Sequence, residues 1–122
     1  MTAPVLDPEL TAVILRSAAD RITEVGLWQG RVSPDEPDTG RTCAALAICA
    51  AAGRNGVRGD AQYATLALFA RSVGLTIEPD GEFNGEFNAV LDWNDQLAGP
   101  NPAGQVVAAL HRAADSVLAV AS

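Results

Sequence analysis

Apolar residues recur at helical spacing in several stretches of the chain, and most stretches are bracketed by a capping residue and a glycine. The first runs through Leu10, Val13, Ile14, Ala18, Ile22 and Val25, the i, i+3, i+4 rhythm of an amphipathic helix. Asp7 is a good N-cap, Pro8 suits the first helical position, and Glu9 favours the positive end of the helix dipole. Gly26 supplies a left-handed stop. From Leu27 to Arg41 the rhythm breaks, and residues 31–41, rich in Pro, Asp and Gly, read as an exposed loop.

Thr42 is placed to cap a second helix from Cys43 to about Ala52, ended by Gly53. It is almost entirely small residues, with Leu46 and Ile48 as its bulk. A helix apolar on every side is normally buried, so this alanine-rich segment is expected at the centre. Asp60 caps a third helix to Val73, with Tyr63, Leu66, Ala70 and Val73 on one face and Gly74 as the stop. A fourth, shorter helix is expected from Phe83 or Phe87 to Asp92. There the repeat Gly81-Glu82-Phe83-Asn84, Gly85-Glu86-Phe87-Asn88 would stack Phe83 on Phe87 and Glu82 on Glu86. Asn101 as N-cap and Pro102 behind it start a last helix carrying Val106, Val107, Leu110, Ala114, Val117 and Leu118. The segments Leu15–Asp20 and Leu110–Asp115 are alike, which convergence on an alanine-rich amphipathic helix explains better than duplication. The sum is an all-α fold: one compact bundle of four to five helices spanning residues 1–122, with residues 1–6 flexible.

Composition changes this picture little, but charge sharpens it. Of the 122 residues 23 are alanine, which suits close helix packing, and no apolar run is long enough to span a membrane. All eight basic residues are arginine, and the absence of lysine beside abundant alanine points to a high-GC genome. The net charge of −7 is uneven: residues 1–71 carry −1 and residues 72–122 carry −6, with Arg112 the sole cation of the second part. Such a surface repels phosphate backbones and anionic membranes, so direct nucleic-acid or membrane binding is not expected. Cys43 and Cys49, six apart, diverge by about 600° along a helix and cannot bridge. With no secretory signal at Met1–Asp7, reduced thiols in a cytoplasm are the expectation.

Candidate chemistry is sparse. Cys43 at a helix N-terminus is the best nucleophile, since the dipole favours thiolate, and Gln29 could donate to an oxyanion. The single histidine, His111, sits mid-helix and is poorly placed as its base. One His and two divergent Cys make no zinc site. The oxygen-bearing run Glu78, Asp80, Glu82, Asn84 lacks the glycine and the bidentate glutamate of a calcium loop. No metal and no cofactor is therefore assigned. Trp28 and Gln29 after the first helix, and Trp93, Asn94 and Asp95 after the fourth, are the conspicuous groups left. They read either as a recognition surface, since Trp is enriched at hot spots, or as plugs and caps that fix the ends of the bundle.

In their order, these residues resemble a known pattern: Leu15-Arg16-x-Ala18-Ala19-Asp20, then Gly26, Trp28, Gln29 and Gly30, then Arg41-x-Cys43-Ala44, Trp93-Asn94-Asp95, and a closing Val106-Val107-x-x-Leu110-x-x-Ala113-Ala114. The pattern is similar to an uncharacterised family of small helical proteins, a domain of unknown function, from actinobacteria and their phages. The tryptophan here lies one position later after the first glycine, and Leu46-Ala47 replace an Ile-Gly-Ala-like stretch. The resemblance implies provenance and a cytoplasmic setting, but no activity.

The expected role is a small acidic, non-enzymatic protein-interaction module, of phage or prophage origin and directed at a host protein, with a homodimer also compatible. Two alternatives stay open: a cysteine-dependent enzyme using Cys43, and a nucleic-acid mimic through Asp80, Glu82, Glu86, Asp92 and Asp95.

Overall fold

The computed structural model describes residues 7–29, 42–75 and 85–121. The expected flexible start at 1–6, the loop at 31–41, the acidic run 78–84 and the Phe83–Phe87 stack therefore lie outside or partly outside the described residues. Among the described residues there are five helices: α1 (Pro8–Val25), α2 (Ala44–Arg54), α3 (Asp60–Ser72), α4 (Gly85–Gln96) and α5 (Pro102–Ala121).

Helix α1 begins as its sequence dictates. The Asp7 side chain accepts from the Glu9 amide at 3.0 Å, Pro8 follows it, and Gly26 closes the helix at φ 91°. Asn101 does the same for α5, its Oδ1 accepting from the Gly104 amide at 3.0 Å. Helix α3 also ends as expected, at Ser72 with Val73 as C-cap and Gly74 behind it at φ 84°, but other boundaries depart from expectation. The N-cap of α2 is Cys43, whose Sγ accepts from the Leu46 amide at 3.5 Å, while Thr42 pairs with Leu27 in an isolated parallel bridge. Helix α2 runs through Gly53 to Arg54 and stops at Asn55-Gly56, where the Asn55 amide side chain donates to the Ala51 carbonyl and Gly56 takes φ 77°. Gly59, at φ 63°, caps α3 in place of Asp60, which becomes its first residue. Helix α4 starts at Gly85 and extends four residues beyond Asp92, to Gln96.

Helices α1, α2, α3 and α5 close a ring in which each packs on its two neighbours, and α4 lies against α2 and α3. The most extensive pairing joins α1 to α5. The pair is antiparallel: Arg16 reaches His111 and Asp115, while Pro8 shares a groove with Val117 and Val120. The two like segments thus lie on partnered helices. Leu15, Ala18 and Ala19 are buried on one, and Leu110, Ala113 and Ala114 on the other, the alanines letting the two backbones approach closely. One buried cluster draws on all five helices, with Ile14, Ile22, Ile48, Leu66, Phe69 and Val90 as its bulk. Each such side chain contributes about 2 kcal/mol by leaving water.

Three burial expectations fail, one of them Leu118 near the end of α5, which is 37% exposed. Val13 is 51% exposed, because the buried stripe of α1 is Thr11, Ala12, Ile14, Leu15, Ala18, Ala19 and Ile22, rotated away from it. Helix α2 buries only part of its girth, leaving Leu46 52% exposed and Ala50 on the surface. Alanine carries so little apolar area that one face of an alanine-rich helix can meet water at small cost.

Candidate functional site

The residues singled out by sequence gather at one end of the bundle, where the chain leaving α1, the head of α2 and the tail of α4 meet. Their backbone is already tied: the Trp28 amide donates to the Thr42 carbonyl at 2.8 Å, and the Thr42 amide to the Gly26 carbonyl at 3.1 Å. Asn94, fully buried, is the hub. Its Oδ1 accepts from the Ala44 amide at 2.9 Å, and its Nδ2 donates to the Trp28 carbonyl at 2.9 Å and to the Asp95 carboxylate at 3.2 Å. The Ala44 amide belongs to the first turn of α2, which has no partner within its own helix. One side chain therefore caps α2 and holds the strand-like turn at Trp28 against α4. Gln29 completes the clasp from the other side, its Nε2 donating to the carbonyls of Asn94 and Leu97 at 2.9 and 3.1 Å. That satisfies carbonyls at the C-terminal end of α4, which a helix leaves open.

Cys43 sits inside this clasp at 4% exposure. Burial pushes its thiol above the ordinary range, more than the amide hydrogens of Leu46 and Ala45 draw it down, and the Asp95 carboxylate pushes it the same way. The helix N-terminus that would have activated a thiol here is opposed by desolvation. Gln29 is not offered to an oxyanion, since its N–H groups are taken by α4. His111 lies on the α1–α5 seam, its Nδ1 facing the Arg16 guanidinium at 3.2 Å. Cys49 is half-buried, and burial raises its thiol as well. Among the described residues, no group of three or more His, Cys, Asp or Glu is placed to hold a metal ion. No helix among them is long and apolar enough to cross a membrane. Of the five carboxylates of the mimic alternative, Asp92 is exposed and Asp95 is half-buried in the clasp.

Trp93 is the exception to this inward use. One side of its ring meets Phe69 edge-on, with centroids 5.4 Å apart and planes at 76°. It also lines an open groove of about 750 Å³ where α3, α4 and α5 meet, together with Val73, Leu97, Asn101, Ala108 and Arg112. The groove wall is braced: the Gln105 Nε2 donates to the Ala98 carbonyl at 2.7 Å, tying the α4–α5 corner to α5. Sequence reading passed over Asn101, Ala108 and Arg112 as site residues. The one available signal was Arg112, isolated as the only cation after Arg71.

No curated protein and no solved structure matches the chain. A family model does. With residues 7–116 matching it, almost the whole of the chain, the protein belongs to DUF6197, a family of unknown function.

Proposed function

We propose that the protein is a non-enzymatic interaction module that docks a protein partner in the Trp93 groove. The observation that carries this reading is the division of labour among the conspicuous residues. Asn94 and Cys43 are buried and exposed Gln29 spends its amide on carbonyls at the end of α4, so these three hold helices together, whereas half-buried Trp93 lines an open groove with one side of its ring against Phe69. A rigid aromatic in a preformed concavity is what an interface hot spot requires, because little ordering remains to be done on binding. The setting that fits is a cytoplasm, in an actinobacterium or in the host of its phage, where the two free cysteines stay reduced.

The cysteine-enzyme alternative has less behind it, because the Cys43 thiol is buried and raised. A photo-cross-linking amino acid placed at exposed position 108 tests the docking reading in cells that make the protein. A discrete protein adduct is expected from position 108 and not from exposed position 50, on α2. Equal labelling from both positions, or none from 108, refutes it.

A further inference from the structure

We infer that the groove takes a partner segment in which apolar side chains adjoin a single carboxylate, with Arg112 as the charge anchor; this rests on the docking reading above. Arg112 is exposed and makes no ion pair or hydrogen bond among the described residues. Its natural helical partner would be Asp115, three residues on, but the Asp115 carboxylate is held across the seam by Arg16. No carboxylate is among the described residues lining the groove. An arginine left unpaired is notable because residues 72–122 contain seven acids and no other cation. Beside it lie Val73, Trp93, Leu97 and Ala108, an apolar floor that needs apolar side chains to cover it.

The surrounding charge narrows the partner. A strongly acidic tract would be repelled by a chain of net charge −7, whereas one carboxylate among apolar residues can pair with Arg112, the cation among the described residues that line the groove. Electrostatics of this kind fixes register and partner choice more than raw affinity. The braced corner between Ala98 and Gln105, and the Asn101 side chain bound to the Gly104 amide, keep the wall in place before the segment arrives.

The test is selection of a displayed library of random twelve-residue peptides on the full chain, repeated on Arg112→Gln and on Ala108→Trp, which fills the groove. Peptides pairing Asp or Glu with neighbouring apolar residues are expected to dominate and to be lost on Ala108→Trp. Their synthetic forms should bind Arg112→Gln about fivefold more weakly, the size of an exposed ion pair. The same loss should follow Glu→Gln in the peptide, with no further loss when both changes are combined. Peptides that Ala108→Trp excludes, but that lack a carboxylate or bind Arg112→Gln equally well, overturn this inference and leave the docking groove standing. Absence of any peptide sensitive to Ala108→Trp overturns both.

Discussion

Asn94→Ala should be among the most damaging single substitutions outside the apolar core. It strands the Ala44 amide and the Trp28 carbonyl, whose bonds to Asn94 are each 2.9 Å long. Leaving the buried Ala44 amide and the part-buried Trp28 carbonyl unpaired costs about 2 kcal/mol, and the space vacated at a fully buried position adds about 1 kcal/mol more. For a domain whose whole stability is on the order of 10 kcal/mol, a loss of about 3 kcal/mol is large. With a urea dependence of about 1.5 kcal/mol per molar, the unfolding midpoint should fall by about 2 M, read by tryptophan fluorescence at unchanged slope. Asn94→Asp separates the two halves of the effect. A carboxylate still accepts from the Ala44 amide, but it faces the Trp28 carbonyl and the Asp95 carboxylate without a proton to donate. Folding then holds the new carboxyl above its unfolded value of about 3.9. Its penalty is complete at neutral pH and shrinks as pH falls, because protonation restores the donor. An Asn94→Ala protein within 1 kcal/mol of the parent, or an Asn94→Asp protein whose deficit ignores pH, would refute the hub.

Other expectations follow from the same geometry. Gln29→Ala should cost about 1 kcal/mol and speed amide exchange in the last turn of α4, since its two carbonyl partners reopen to water. Burial holds both thiols above their ordinary range, so the stability they lend is whole below the unfolded value of about 8.5. It declines as pH rises beyond that value, and a Cys43→Ser, Cys49→Ala double variant should flatten the decline in thermal melts. Gly53→Ala should stabilise by about 0.7 kcal/mol, because a Cβ there meets nothing within 4 Å inside a continuous helix. Gly74→Ala, at φ 84°, should destabilise by about 1 kcal/mol. Chemical denaturation of the two side by side checks the sign of each.

The features that sequence disclosed were those decided within a few residues. Asp7-Pro8 and Asn101-Pro102 set helix starts through bonds spanning two or three positions, so they could be read directly. The end of α2 could not. Gly53 carries a weak local preference that packing of Ala51 and Ala52 overrides, and the stop comes from Asn55 and Gly56 instead. Val13 could not be placed locally, because α1 offers apolar residues on overlapping faces and only the packing of α5 and α2 decides which face is covered. The site was the least legible part. Asn94 reaches Ala44 across fifty positions of sequence and Trp28 across sixty-six, and nothing in Trp-Asn-Asp says which residue turns inward. The groove needs three helices to exist, so Arg112 could be noticed as a lone charge but not as part of a surface.

The pairing of α1 with α5 also bears on how the protein is made. Roughly a hundred residues separate partners such as Arg16 and Asp115, so α1 leaves the ribosome well before α5 and waits for it. At about ten residues per second, Leu15, Ala18 and Ala19 remain without their principal cover for on the order of ten seconds in each round of synthesis. Contacts so distant along the chain slow folding, and a nascent α1 needs protection until α5 emerges.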